Sequence, residues 1–217
     1  MAVEADVQTG SSSAVEVIRE VPVPTKPTGD PQVFGWLVFV VGSTCLGLQL
    51  TGYVPAATLG APLAIIMGAT ALGLLISCIW AAYVGQTYVA GAFGIFCGFW
   101  VSYTALVLGL THGWFGIAAA AVPKTVLAFL IAWAVTMFLL TVSTVRLPAA
   151  YTVDVALVDL ALIVLIFANQ GAGNADLTKL AGVIVFVFAA LGAYIWLSAA
   201  DQSLGGPGYP LGPPLRK

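Results

Sequence analysis

AFGIFCGFWVSYTAL, residues 92–106, combines large aromatic rings with small residues and contains no charged side chain. On an α-helix, at about 100° per residue, the small residues fall on one face and the rings on roughly the opposite face. Gly94 and Gly98 have the G-x-x-x-G spacing that lets two helices pack closely in a membrane. The aromatic face contacts lipid, packs against a helix or a subunit, or forms a hydrophobic constriction in a pore. The stretch alone leaves these alternatives open.

The whole chain is too poor in charge to form a water-soluble domain. Of its 217 residues, 60% are hydrophobic and only 7% are charged, whereas a soluble domain has about 25% charged residues. Such a composition is typical of a chain surrounded by lipid. The net charge of -2 and the scattered basic residues give no indication of a nucleic-acid partner.

Six apolar stretches follow Pro31, approximately at residues 33–51, 58–83, 88–110, 124–144, 149–169 and 179–198. Each is close to the roughly 20 residues that cross the hydrocarbon core of a bilayer. The connections between them are short, so consecutive helices are predicted to be antiparallel neighbours. We therefore predict an all-α, polytopic membrane protein with six transmembrane helices.

The remaining segments predict the domain boundaries and the orientation. Residues 1–29 are expected to be a disordered polar tail, residues 30–200 the membrane domain, and residues 201–217 a Gly/Pro-rich tail. If both termini lie on one side, that side holds five of the seven basic residues: Arg19, Lys26, Arg146, Arg216 and Lys217. The positive-inside rule then predicts that both termini are cytoplasmic in a multi-pass protein of the cell membrane.

Polar residues within the apolar stretches are candidates for function. Asp159 lies in the middle of the fifth stretch, where an aspartate costs about 2.5–3.5 kcal/mol on insertion scales. It is expected either to line a path or carry a proton, or to be protonated and hydrogen-bonded to another helix. Asp154 lies about 140° around the same helix and is expected to reach the membrane interface. Gln49 is expected to donate to a passing carboxylate or to a neighbouring helix.

The sequence contains no pattern that indicates catalysis or metal binding. His112 is the only histidine, and one histidine cannot form a metal site or a catalytic triad. The cysteines, Cys45, Cys78 and Cys97, have no metal or redox spacing. We therefore expect no enzyme activity, no cofactor and no metal.

Three stretches resemble the acetate/succinate transporter family, also called acetate uptake transporters. DPQVFGWLVF, residues 30–39, is similar to the family's first-helix motif N-P-A-P-L-G-L-x-x-F. GQTYVAGAFGIFCGFW, residues 85–100, is similar to G-N-T-F-x-x-x-A-F-x-x-Y-G-x-F-W, and AGV at 181–183, Ala193-Tyr194 and YPLG at 209–212 fit the carboxyl end. The signature residues of the first stretch are Asp30, Pro31, Phe34 and Gly35. Pro31 and Gly35 match the motif, whereas Asp30 stands where Asn is usual and Phe34 replaces Leu. In the same stretch, Gln32 and Val33 replace Ala-Pro.

The resemblance implies a six-helix protein that moves acetate, and in some members succinate, as an anion channel or by proton symport. It also implies a homohexamer in which each protomer has its own path through a narrow hydrophobic constriction. The matched constriction positions are Phe39, Phe96 and Leu160. Phe96 stands where the family has Tyr, which makes the constriction drier. Asp159, beside Leu160, would repel an anionic substrate unless it is protonated.

Two other functions fit the same composition. A channel for ammonium or a neutral small solute would also have few intramembrane charges, and a comparison of acetate with methylamine uptake separates it from an acetate path. A membrane subunit that scaffolds partners without transport would show no flux at all.

Overall fold

The computed structural model describes residues 28–171 and 173–216. Within these ranges the protein has six helices that are long and apolar enough to cross a membrane. They are α1 Gln32–Leu50, α2 Gly60–Tyr83, α3 Thr87–Thr111, α4 Val122–Thr144, α5 Ala149–Ala168 and α6 Ala175–Ser203. The prediction of an all-α, six-helix membrane protein is confirmed.

The largest difference between the predicted stretches and the helices is in α6, which runs from Ala175 to Ser203. Its start is fixed by Asn174, whose side-chain oxygen accepts hydrogen bonds from the backbone N–H groups of Asp176 and Leu177 at 3.0 Å. The added turns at both ends contain charged residues, which hydropathy alone excludes from a membrane stretch. Residues 201–203, predicted as tail, therefore belong to this helix.

Most of the predicted N-terminal tail lies outside the described residues, because the description begins at residue 28. The described residues also exclude three of the five basic residues on which the predicted cytoplasmic position of the termini depends: Arg19, Lys26 and Lys217. The cytoplasmic position of the termini stays a prediction.

The helices α1 and α2 approach closely along the π-type turn of α2 at Ile66–Ala71. Thr70 in this turn is buried against Gly42 of α1, where an added Cβ would overlap the threonine side chain. About one turn further along α2, Gly73 packs in the same way on Val38 of α1. Small residues thus set the spacing between these helices.

The centre of the bundle is α1, which also packs along α6. Gly182 of α6 allows the approach of Leu50 and Thr51, and Gly192 lies beneath the rings of Trp36 and Phe39. By contrast, α4 is peripheral, since only 17% of its most apolar window is buried, compared with 39–44% in the other helices. Its exposed side is suited to lipid or to another subunit.

The helices alternate in direction, so the bundle has two ends. One of them, which we call the near end, holds the starts of α1, α3 and α5 and the ends of α2, α4 and α6. We call the opposite one the far end. At the near end, the indole N–H of Trp196 donates to the carbonyl oxygen of Val33 at 2.7 Å. The chain after α6 also folds back here, since the Arg216 N–H donates to the Val145 carbonyl oxygen at 2.9 Å.

Candidate functional site

A series of cavities extends from the near end into the bundle. The first, which we call the vestibule, has a volume of about 240 Å³. The second, the near cavity, has a volume of about 40 Å³ and continues the vestibule, because both are lined by Trp36, Tyr88, Phe93 and Tyr151. The vestibule therefore leads towards the centre of the protomer.

A third cavity, the far cavity, lies in the other half of the bundle and has a volume of about 110 Å³. Its walls are apolar and aromatic side chains of α1, α3, α4, α5 and α6, among them Leu46, Tyr103, Leu130, Leu162 and Val185. The near and far cavities share no lining residue.

Three phenylalanine rings lie between the near and far cavities. The ring centroids of Phe39 and Phe96 are 5.0 Å apart, and those of Phe39 and Phe188 are 5.8 Å apart. Phe39 and Phe96 line the near cavity, whereas Phe188 lines the far cavity. All three are buried. Rings in contact exclude water, so this cluster, which we call the phenylalanine seal, has the form of a hydrophobic gate.

The rings at the start of the aromatic stretch, residues 92–106, face the inside of the bundle. Phe93, Phe96, Phe99 and Trp100 are all buried. Of the interpretations left open by the sequence, contact with lipid is therefore excluded for these four rings. The structure brings together two of the three predicted constriction residues, Phe39 and Phe96.

The structure does not bring Leu160 to the constriction. Its side chain is 44% exposed, whereas Leu162 is 3% exposed. Val158 and Leu162 both line the far cavity, and Leu160 lies midway between them, about 200° around the helix from each. Contrary to the prediction, Leu160 therefore lies away from the Phe39–Phe96 pair. Phe188 of α6 is a third ring in contact with Phe39.

The signature residues build the start of α1. The Asp30 side chain accepts a hydrogen bond from the Gln32 N–H at 3.0 Å, and Pro31 is buried beside it. The Phe93 ring packs directly on Gly35, because a Cβ added at this glycine would overlap the ring. Phe34 is exposed on the outside of the bundle. The stretch therefore positions an aromatic wall, and Phe34 takes no part in it.

The two glycines of the G-x-x-x-G pair contact different helices. A Cβ added at Gly94 would lie 3.2 Å from the Cys78 sulfur of α2, and one added at Gly98 would lie 3.5 Å from the Trp133 ring of α4. Only the first of these contacts is tight.

The two intramembrane aspartates have different surroundings, and neither lines a cavity described above. The Asp159 carboxyl group accepts a hydrogen bond from the Thr141 hydroxyl of α4 at 2.6 Å. Asp154 is completely buried, and neither of its oxygens has a hydrogen-bond partner among the described residues. The expectation that Asp154 reaches the membrane interface is therefore wrong.

Gln49 lies beside the far cavity. Its side-chain oxygen accepts a hydrogen bond from the Tyr103 hydroxyl at 2.8 Å, and Tyr103 lines the cavity. The Gln49 amide nitrogen is buried without a partner among the described residues. An amide nitrogen carries two donors, so this group can still donate.

Sequence reasoning missed two parts of the site. Phe188 lies in the apolar run VIVFVFAALG, where nothing distinguishes it from its neighbours. Tyr151 and Gln32, which line the vestibule, were not considered as site residues. The one signal for Gln32 was its departure from the family motif.

Comparison with known proteins agrees with this architecture. The sequence model of the GPR1/FUN34/yaaH family matches residues 15–203. A solved structure of the bacterial acetate channel SatP is similar, with a TM-score of 0.74 and 20% sequence identity over 86% of this chain and 100% of that chain. At this identity the likeness shows a shared fold. No curated protein sequence matches the chain.

Proposed function

The chain belongs to the GPR1/FUN34/yaaH family, and from this premise we propose that it conducts acetate and similar small monocarboxylates across a membrane. The observation that carries the proposal is the phenylalanine seal, because it closes a series of cavities inside a single protomer. The fold shared with an acetate channel supports the same function.

The seal favours a substrate with a short apolar part and a charge that can be neutralised. A bare carboxylate ion in an apolar passage loses its hydration at a cost far larger than that of the neutral acid. The acid therefore crosses the seal most readily in its protonated form, and a proton then travels with it. This is the physical basis for coupling to a pH gradient.

Polar groups on the far side of the seal are suited to receive the carboxyl group. The Tyr103 hydroxyl donates to the Gln49 amide oxygen, and the Gln49 amide nitrogen has no partner among the described residues. A carboxylate is the natural acceptor for such donors. We therefore propose Tyr103, the one polar side chain among the described residues that line the far cavity, with Gln49 behind it, as the polar contact for a substrate there.

The wider setting follows the resemblance. We propose a homohexamer in the plasma membrane, with both termini and therefore the vestibule on the cytoplasmic side. The exposed apolar side of the peripheral α4 supports this arrangement, since it is available to neighbouring subunits and lipid.

The test is acetate flux into liposomes that contain the purified protein, with and without a pH gradient. Wild type is compared with Phe39→Ala and Phe96→Ala, and the matched control is Phe167→Ala, whose ring is exposed on α5. Both seal variants should change the flux, and the control should not. Succinate, methylamine and empty liposomes complete the comparison.

The rival functions give different results in this assay. Methylamine flux without acetate flux would indicate the ammonium or neutral-solute channel. Absence of any flux above empty liposomes, together with stoichiometric recovery of another protein, would indicate the scaffold.

A further inference from the structure

We propose that Gln32 forms a binding site for the carboxylate group of the substrate in the vestibule, held in a fixed orientation by Tyr151 and Trp36. This inference rests on the proposed function, because it names the residue that first contacts the transported acid. Nothing in the sequence pattern or the family likeness assigns a role to Gln32, and the site follows from its hydrogen bonds alone.

The orientation of the Gln32 amide is determined by its partners. Its Oε1 atom accepts hydrogen bonds from the Tyr151 hydroxyl at 2.8 Å and from the Trp36 indole N–H at 3.4 Å. An indole nitrogen can only donate, so the atom that faces it must be the amide oxygen and not the amide nitrogen. Two donors occupy the two acceptor positions of this oxygen.

The Gln32 amide nitrogen is consequently directed away from these partners. It has two N–H donors and no hydrogen-bond partner among residues 28–171 and 173–216. Gln32 is part of the vestibule wall. The rings that orient it are themselves packed together, since the centroids of Trp36 and Tyr151 are 5.8 Å apart. The donors are thus preorganised, which reduces the entropy lost when a ligand binds.

The chemistry of the vestibule fits a short carboxylic acid. A carboxylate oxygen can accept a hydrogen bond from a free N–H group of Gln32, and the apolar part of the acid can lie against the aromatic wall of Trp36, Tyr88 and Phe93. The volume of about 240 Å³ is several times the roughly 30 Å³ that one water occupies in the liquid. The vestibule can therefore hold a small acid with some of its hydration water.

The Gln32 side chain offers no free acceptor to an ammonium ion. An ammonium ion needs acceptors, and the Oε1 of Gln32 is already occupied by two donors. Asp30, which precedes α1, accepts a hydrogen bond from the Gln32 backbone N–H. Of the other titratable groups near the vestibule, the Tyr151 hydroxyl is used in orienting Gln32, and the Tyr88 hydroxyl is hydrogen-bonded to Ser143 at 2.7 Å.

The test is the concentration dependence of acetate uptake into liposomes. Gln32→Leu removes both donors and should raise the half-saturating acetate concentration about tenfold, as expected for one hydrogen bond to a charged group, with the maximal rate retained. Tyr151→Phe removes the hydroxyl that orients Gln32, so it should raise the half-saturating acetate concentration by less than Gln32→Leu does. Added to Gln32→Leu, it should cause no further rise. Gln170→Leu, an exposed glutamine at the far end, is the matched control.

Gln32→Glu makes the test independent of side-chain packing. This substitution keeps the shape and the acceptor for Tyr151 and Trp36, but replaces the donors with a negative oxygen. It should weaken acetate uptake more than Gln32→Leu does. Half-saturating concentrations equal to wild type in either Gln32 variant would overturn the inference while leaving the proposed function intact. A wild-type protein without acetate flux would overturn both.

Discussion

Phe39 of α1 and Phe96 of α3 meet in the interior of the bundle with their ring centroids 5.0 Å apart and their planes inclined by 65°. This edge-to-face contact is one of the preferred arrangements of aromatic pairs and contributes about 0.5–1.5 kcal/mol beyond simple burial. The pair is part of a larger aromatic wall, because Trp36 contacts both Phe39 and Phe93. The seal is therefore closely packed in this structure, and under the proposed function a substrate can cross it only if these rings move.

The first prediction concerns the third ring of the seal. Phe188→Ala removes the ring that faces the far cavity and should increase acetate flux and reduce the discrimination against larger carboxylates, as is expected of Phe39→Ala. Leu160→Ala should leave flux unchanged, because Leu160 is exposed on the outer surface of α5. Flux in liposomes measures both variants. A larger effect of Leu160→Ala than of Phe188→Ala would show that the rings are assigned incorrectly.

A second prediction tests the close approach at the start of α1. A side chain added in Gly35→Ala would overlap the Phe93 ring, so the substitution should reduce the free energy of unfolding by about 1–3 kcal/mol. Gly91→Ala, where nothing lies within 4 Å of the added Cβ, should be neutral or stabilising by about 0.5–1 kcal/mol, because glycine is costly inside a helix. Thermal unfolding in detergent measures both. Equal losses in the two variants would contradict this packing.

The fold could be predicted from the sequence because lipid imposes a simple requirement. A stretch of about 20 apolar residues without charge is stable in hydrocarbon only as a helix, and six such stretches define six helices. The helix ends were less certain: α6 extends to Ser203 because polar residues at its ends lie beyond the apolar core.

The candidate site could be predicted only in part. The motif positions of Phe39 and Phe96 were sufficient to identify two rings of the seal. A helix in an apolar environment has no polar face to show its rotation, so a shift of two residues moves Leu160 to the outside and Leu162 to the cavity. Asp154 was assigned to the interface for a similar reason, since its burial depends on neighbouring helices that the sequence does not locate.

A third prediction concerns the two buried aspartates. Asp154 has no hydrogen-bond partner among the described residues, so Asp154→Val removes an unsatisfied group and should stabilise the protein by about 1–3 kcal/mol. Asp159→Val breaks the hydrogen bond with Thr141 and should destabilise it by a similar amount. Thermal unfolding of the two variants under the same conditions measures the difference. If Asp154→Val were the less stable variant, an unrecognised partner of Asp154 would have to exist.

The last prediction separates two routes by which protons can accompany acetate. As the pH falls, a larger fraction of the acid is neutral, and the neutral form crosses the phenylalanine seal at lower cost. Acetate uptake by wild type should therefore increase as the pH falls. Asp159→Asn should have the same pH profile, because Asp159 is hydrogen-bonded to Thr141 and lines none of the cavities. The measurement is the initial rate of uptake across a series of pH values, with Asp176→Asn, an exposed acid at the start of α6, as the matched control. A flattened profile in Asp159→Asn alone would assign the proton to Asp159 instead of the substrate.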